Sequence, residues 1–319
     1  MKRLAILLLL AGAALNPARA QYPVKPIRIV EPFPPGNATD IILRAFTPEL
    51  GELLKQTFVI DPRPGAGGNI AADIVAKSTP DGYTLFIGTI GTHAINASLY
   101  SKLPYDPVRD FTPISLVATN PNALVVNLAL PAHSVKELIA LARARPGALN
   151  FGSSGSGTSV HLSGELFKTM AGVSMVHVPY KSATDALTDL MAGRLQLMFA
   201  SLSSSVQFIR AGKLRALGVT SAERHASIPD VPTIAEAGLP GFEATAWFGI
   251  LGPAGTPQPI VVRLNQAIVE VLKRKEVRER MSNAGVDAIS STPEHFAAYI
   301  KSELAKWDKV VRASGARAD

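Results

Sequence analysis

The chain has 319 residues, 47% of them hydrophobic and 18% charged, with a formal charge of +7 and no cysteine. The lack of cysteine excludes disulfides, thiolate metal ligands, cysteine nucleophiles and lipid attached to an N-terminal cysteine. The basic residues are scattered, and "KRKEVRER" interleaves them with acids. That pattern reads as a solvated helix face, with no nucleic-acid surface and only a slight preference for anionic ligands.

The first twenty residues read as an export signal. Lys2 and Arg3 form a basic start, and the apolar run from Leu4 to Leu15 is too short to span a bilayer. "ARA" puts Ala18 and Ala20 at the −3 and −1 positions of a cleavage site, so the mature chain should begin at Gln21. Loss of Lys2, Arg3 and Arg19 lowers the charge by three. No later run reaches about 18 apolar residues unbroken, so the mature protein is expected to be soluble. Export without cysteine points to a bacterial periplasm. The remaining chain is long enough for two lobes.

"IRIVEPF" reads as a strand and Ala38 to Leu54 as a helix. "QTFVIDPRPGAGG" is a strand running into a Gly/Pro loop, "NIAADIVAKS" a helix, and "TLFIGT" a strand. This βαβαβ order predicts a largely parallel sheet with helices on its faces. "ISLVATNPNALVVNLAL" then supplies two extended runs with no helix between them, a crossover to a second lobe. There "SVKELIALARARPG" is a helix, "LNFGSS" a strand, Ser159 to Met170 a helix, "SMVHVPY" a strand, Thr184 to Met191 a helix, and "RLQLMFA" and "LRALGVT" strands. The return crossover is placed near "WFGILGP". Pro259 to Lys273 and Val277 to Ala284 are helical. The last helix has Thr292 as N-cap and Pro293 in its first turn, and stops before Gly315. The predicted lobes are 21–123 with 246–319, and 124–245. Two such α/β lobes leave a cleft lined by loops at the carboxyl ends of strands.

Four loops carry candidate chemistry. "PFPPGNATD" follows the first strand. Pro34 and Pro35 stiffen it, Asn37 is a candidate cap for the next helix, and Asp40 completes an N-x-x-D capping box. Free N–H groups and the positive end of the helix dipole then face the cleft. "GSSGSGTSVH" is the counterpart in the second lobe, with three glycines for close approach and hydroxyls from Ser153, Ser154 and Thr158. "GTIGTHAIN" offers Thr89, Thr92 and His93, the histidine either touching ligand or orienting the loop. "VPYKSATD" offers Tyr180, Lys181 and Ser182.

Enzyme signatures fail. Ser156 stands where G-x-S-x-G needs its last glycine. No dinucleotide fingerprint or G-K-[ST] loop occurs, and the six histidines show no metal-ligand spacing. No metal and no cofactor is expected. A serine hydrolase using Ser153 or Ser154 stays open as a rival, as does a subunit that reports its ligand state to a membrane signalling partner.

Together "YPVKPIRIVEPFPPG", "PGAGGNIAADIVAKSTPDGYTLFIGT", "FGSSGSGTSVHLSGELF", "HVPYKS" and "IPDVPTIAEAGLPGFEATAWFGILGPAGTP" make the chain resemble the Bug-type extracytoplasmic solute receptors of the tripartite tricarboxylate transporter family. The resemblance implies a two-lobed periplasmic binding-protein fold (type II-like) with two hinge strands. It implies capture of a small carboxylate and its delivery to a membrane permease; the receptor itself is expected to be a monomer. It places the carboxylate between Phe33, Pro35, Gly36, Asn37 and Asp40 in one lobe and Ser153, Ser154 and Thr158 in the other, with Thr89, Thr92, His93, Tyr180 and Lys181 lining the rest. Three positions depart from the family pattern: Asn37 where a second glycine is usual, Ser182 after "PYK", and Ala200-Ser201 where an acid able to meet a ligand ammonium is common. A ligand without an ammonium group is therefore expected.

Overall fold

The structure, a computed structural model, describes residues 22–318. The export signal and its cleavage after Ala20 lie outside the described residues. The first part of the chain forms β1 (Ile27–Glu31), α1 (Ala38–Leu54), β2 (Phe58–Pro62), α2 (Asn69–Ala76), β3 (Thr84–Thr89), a π-helical turn (Gly91–Ile95) and α3 (Asn96–Leu99). A long strand β4 (Phe111–Val126) leads to α4 (Val135–Ala144), β5 (Asn150–Ser153), α5 (Ser159–Ala171), β6 (Val176–Pro179), α6 (Ala183–Met191), β7 (Leu197–Ser201), α7 (Leu202–Arg210) and β8 (Arg215–Val219). The chain returns through β9 (Thr245–Pro253) to α8 (Gln258–Lys273), α9 (Lys275–Asn283), β10 (Asp287–Ala288) and α10 (Pro293–Ser314).

The strands run β2-β1-β3-β9-β4-β7-β5-β6, with β8 and β10 also on β4. β1 lies parallel to β2 and β3, and β5 parallel to β6 and β7, as the alternation of strand and helix requires. The two half-sheets meet on one strand. β4 pairs antiparallel with β9 from Phe111 to Pro121, then with β7 and β8 from Asn122 or Ala123 to Val126. The two extended runs expected here are thus a single strand. Its prolines fall where the ladder is irregular: register slips beside Pro113, and Pro121 marks the change of partner. A missing N–H is tolerated at such breaks.

Alternation along β4 and β7 builds two cores. Leu124, Val126, Leu197 and Phe199 join the large core that also holds Phe46, Phe86, Phe151 and Trp247. Ala123, Val125, Met198 and Ala200 face a smaller core with Leu187, Leu190, Val206 and Val219. α7, which the sequence does not predict, packs on this side; its opening "LSSS" has three serines, indifferent helix formers, and no full apolar stripe.

α10 starts with the Thr292 hydroxyl accepting from the His295 N–H and ends at Gly315 in the left-handed region (φ 65). It is tied to the return strand by a buried carboxylate: Glu303 Oε2 accepts from Trp247 Nε1 (3.0 Å) and Trp307 Nε1 (3.1 Å). Replacing Glu303 with Leu strands both indole N–H groups. Each buried unpaired donor costs about 1–3 kcal/mol. Urea unfolding of Glu303→Leu should show that loss, and a stability equal to wild type would refute the pairing.

Candidate functional site

Loops at the carboxyl ends of β1, β2, β3, β5 and β6 gather on one side, and two connected spaces lie among them. The inner one, of about 30 Å³, is walled by Phe33, Asn37, Ala38, Thr89, Ile90, Gly91, Ser154, Thr158, Ser159, Val160, Ser201, Ala246 and Phe248. No acid or base stands in that wall. The outer one, of about 600 Å³, shares Phe33 and Ser154 with it and extends to the Pro64–Gly68 loop, Tyr100, Gly155, Ser156, Tyr180, Lys181 and Ala318. Its lining is mainly apolar, and Lys181 is the one charged side chain in it among the described residues. A wide depression of about 540 Å³ beside Thr47–Phe58 lies at the far end of α1 from these loops.

Two helices aim their starts at the inner space. At α5 the Thr158 hydroxyl accepts from the His161 N–H (3.3 Å). The N–H groups of Ser159 and Val160, ahead of that bond, are left for another acceptor. At α1 no side chain caps the first turn. This corrects the expected capping role of Asn37. Its Oδ1 instead accepts from the backbone N–H of Ala183 at 3.1 Å, while its Nδ2 donates to Pro34 O at 2.8 Å. Asp40 reaches back one residue further than a capping box, accepting from the Gly36 N–H (3.0 Å) and from Arg44 Nε (2.6 Å). The loop is thereby fixed without spending the N–H groups at the helix start.

The remaining predicted residues divide by depth. Phe33, Asn37, Thr89, Ser154, Thr158 and Ser201 wall the inner space, and Tyr180 and Lys181 the outer one. The Tyr180 hydroxyl donates to Asp189 (2.8 Å), which Arg194 also holds. Pro35, Gly36, Asp40, Thr92, His93, Ser153 and Ala200 line neither space. Thr92 and His93 are fully buried behind the third loop. The Thr92 hydroxyl bonds His93 Nδ1 (2.9 Å) and accepts from the Thr89 N–H (3.0 Å), while the imidazole packs on Phe86, Tyr105 and Phe111. Burial alone holds the His93 pKa down to about 3. His93 thus lies behind the third loop and lines neither space.

Ser153 is fully buried and bonds His177 Nε2 at 2.6 Å. His177 stacks on His161 with ring centroids 3.9 Å apart. Burial, then the neighbouring imidazole, brings His161 down to about 3; burial, then Lys168, brings His177 to about 4. Glu165 approaches His161 (3.8 Å) and is bonded by Lys168. The Ser–His pair therefore sits under the loop, away from either space, as a support for it.

The Pro64–Gly68 loop, absent from the sequence-based candidates, also lines the outer space, and "PGAGG" carries the same signal as the others because it too follows a strand's carboxyl end. Asn96 holds it in place, donating to Asn69 Oδ1 (2.6 Å) and Gly67 O (3.2 Å). Close approach across the gap demands glycine: a Cβ on Gly91 would come within 2.8 Å of Gly157 O, and one on Gly67 within 2.6 Å of Ser156 O.

Two α/β halves sharing strands, with opposed helix starts over a gap free of charged side chains at its base, define a periplasmic-type solute-binding protein. Comparison with known proteins gives its family. The family model for the tripartite tricarboxylate transporter family receptor matches residues 42–316. BugT of Bordetella pertussis is 38% identical over 96% of this chain and 94% of its own. The R. palustris protein Rpa4515, solved with adipate, is 42% identical with a TM-score of 0.90, covering 92% of this chain and 98% of its own. MatC (Rpa3494) of Rhodopseudomonas palustris, solved with malate, is 35% identical with a TM-score of 0.86, covering 91% and 100%. The chain belongs to the tripartite tricarboxylate transporter receptor family, of the Bug type, whose members are periplasmic receptors.

Behind the first loop lies a buried acid. Glu31, the last residue of β1, is fully buried, and neither carboxylate oxygen has a hydrogen-bond partner. Burial, then the Asp40 carboxylate, pushes its pKa up to about 7, while Thr39 and Arg44 pull the other way. A raised acid stabilises fully below its unfolded pKa, and that contribution is lost as pH rises through the folded value near 7. The three depressed histidines act oppositely, losing stability as pH falls below about 6.5. The melting temperature of Glu31→Gln should gain on wild type between pH 5 and pH 8. A difference that does not change with pH would contradict a buried neutral Glu31.

Proposed function

We propose that this protein captures a small organic carboxylate between two lobes and hands it to a permease of the tripartite tricarboxylate type. The observation that carries this is the inner space, which holds no charged side chain and is walled by the starts of α1 and α5 from opposite half-sheets. Uncommitted N–H groups and two positive dipole ends suit an anion. The solved relatives with adipate and malate support the same class. Each charge-assisted hydrogen bond contributes about 1.5–3 kcal/mol, and a helix start about 0.3–1 kcal/mol. A micromolar Kd needs about 8 kcal/mol net, so a few such contacts suffice even after ligand immobilisation.

In this reading one carboxylate enters the inner space, meeting Thr89, Ser154 and Ser201 beside the two helix starts. The rest of the ligand occupies the outer space, where a second carboxylate would meet Lys181. The lobes are 21–123 with 246–319 and 124–245, a division supported by the partner change in β4 and by β9 starting at Thr245. Closure bends β4 and β9, and contacts to both lobes favour the closed state. Export with cleavage after Ala20 and action as a monomer belong to the same reading, supported by the "ARA" motif and the family's periplasmic setting. The reading is of a receptor and not a serine hydrolase: Ser153 is buried against His177 and opens to neither space, and Ser154, which walls both spaces, has no hydrogen bond to a histidine among the described residues.

The wall contains no acid for an ammonium group, which is costly to bury unpaired. Calorimetric titration of adipate, its diamide and its α-amino analogue tests both points. Adipate should bind at least tenfold more tightly than either. Equal binding of the diamide would refute the anion site. Tighter binding of the amino analogue would refute the absence of an ammonium subsite and point to Asp40.

A further inference from the structure

Asn37 caps a helix, but the helix belongs to the facing half of the molecule. At the start of α6, the Ser182 hydroxyl accepts from the Asp185 N–H (3.1 Å), leaving the first N–H, that of Ala183, without an intrahelical partner. Asn37 Oδ1 fills that place at 3.1 Å. The Nδ2 bond to Pro34 O (2.8 Å) fixes which end of the amide faces Ala183. Both residues are buried, and at the same crossing a Cβ on Gly36 would lie 3.5 Å from Thr184 Oγ1. The bond joins the β1–α1 loop to the β6–α6 loop and passes through no ligand atom.

We propose that Asn37 is a positioning residue that latches the two lobes: its bond to Ala183 exists only when they are closed, and it sets how long a captured carboxylate stays. The proposal rests on capture between lobes. A contact made in the closed state alone shifts the closed–open equilibrium by its own net free energy. One neutral hydrogen bond corresponds to roughly a two- to tenfold change in that ratio. Loss of the latch therefore speeds release and leaves the association rate nearly unchanged.

Two variants remove the same bond from opposite sides. Asn37→Ala removes the acceptor. Ala183→Pro removes the donor at the first helical position, where proline is tolerated, and Ser182 is already extended (φ −143°, ψ 158°) as a residue before proline must be. Because the chain lacks cysteine, Val59→Cys and Val176→Cys, both at exposed positions, give one spin-label pair across the lobes. Stopped-flow release of adipate and the inter-lobe distance distribution, with and without adipate, are measured in wild type, each variant and the double variant.

Each variant should release adipate roughly two- to tenfold faster and raise the open fraction, and the double variant should add nothing further. Faster release in Asn37→Ala but not in a folded Ala183→Pro would mean that Asn37 acts by touching the ligand, which overturns the latch. A lower melting temperature with unchanged distances and release would make the bond merely structural, which also overturns it. If Ala183→Pro does not fold, the distance distribution of Asn37→Ala decides alone: no rise in the open fraction overturns the proposal. Failure of wild type to bind adipate counts against dicarboxylate capture, while the distances in the free protein still decide the latch.

Discussion

In the proposed reading, an anion buried without a cationic side chain must be met by N–H groups and hydroxyls from several directions, and the two half-sheets are arranged to supply them. One helix start supplies two or three donors along one axis. Two helix starts on opposite half-sheets enclose a carboxylate, provided that the halves can be brought together. β4 runs through both half-sheets, and β9 lies antiparallel beside its first part from Thr245 on; in the proposed reading the lobes bend about this pair. The anchoring of β9 to α10 through Trp247, Glu303 and Trp307 then holds one end of the crossover firm.

What lies behind the loops explains their rigidity. Thr92, His93 and Tyr105 brace the third loop from within, and the Tyr105 hydroxyl donates to Thr92 O (2.8 Å). Ser153, His177 and His161 do the same beneath the second-lobe loop. These histidines stay neutral because burial disfavours their charged form. A neutral imidazole can accept and donate in a fixed direction, which suits a strut. Glu31 is the counterpart beneath the first loop, a carboxyl that burial pushes up to about 7.

The sequence made the helix starts legible because their signals are local. Thr292 and Gly315 each do what their chemistry predicts, while the Thr158 hydroxyl, expected to face a ligand, caps α5. The two lobes followed from the strand–helix rhythm and its interruption. Three things escaped. The single strand through Pro113 and Pro121 was hidden because proline reads as a break, and only the change of partner shows why it is tolerated. α7 was hidden by its serines. Asn37 has the pattern of a cap for its own helix, and nothing local reveals that its oxygen is claimed by Ala183, 146 positions along the chain. Depth also escaped: Thr92 and Thr89 lie three residues apart in one loop, yet one is a brace and the other a wall.

The central claim is that helix starts from both lobes grip one carboxylate. A crystal structure of the mature chain with adipate tests it most directly. The claim predicts one carboxylate within hydrogen-bond distance of N–H groups in the first turns of both α1 and α5, directly or through a single ordered water, with the chain of the ligand leading toward Lys181. A carboxylate bound by Lys181 alone, or by one lobe only, would contradict it.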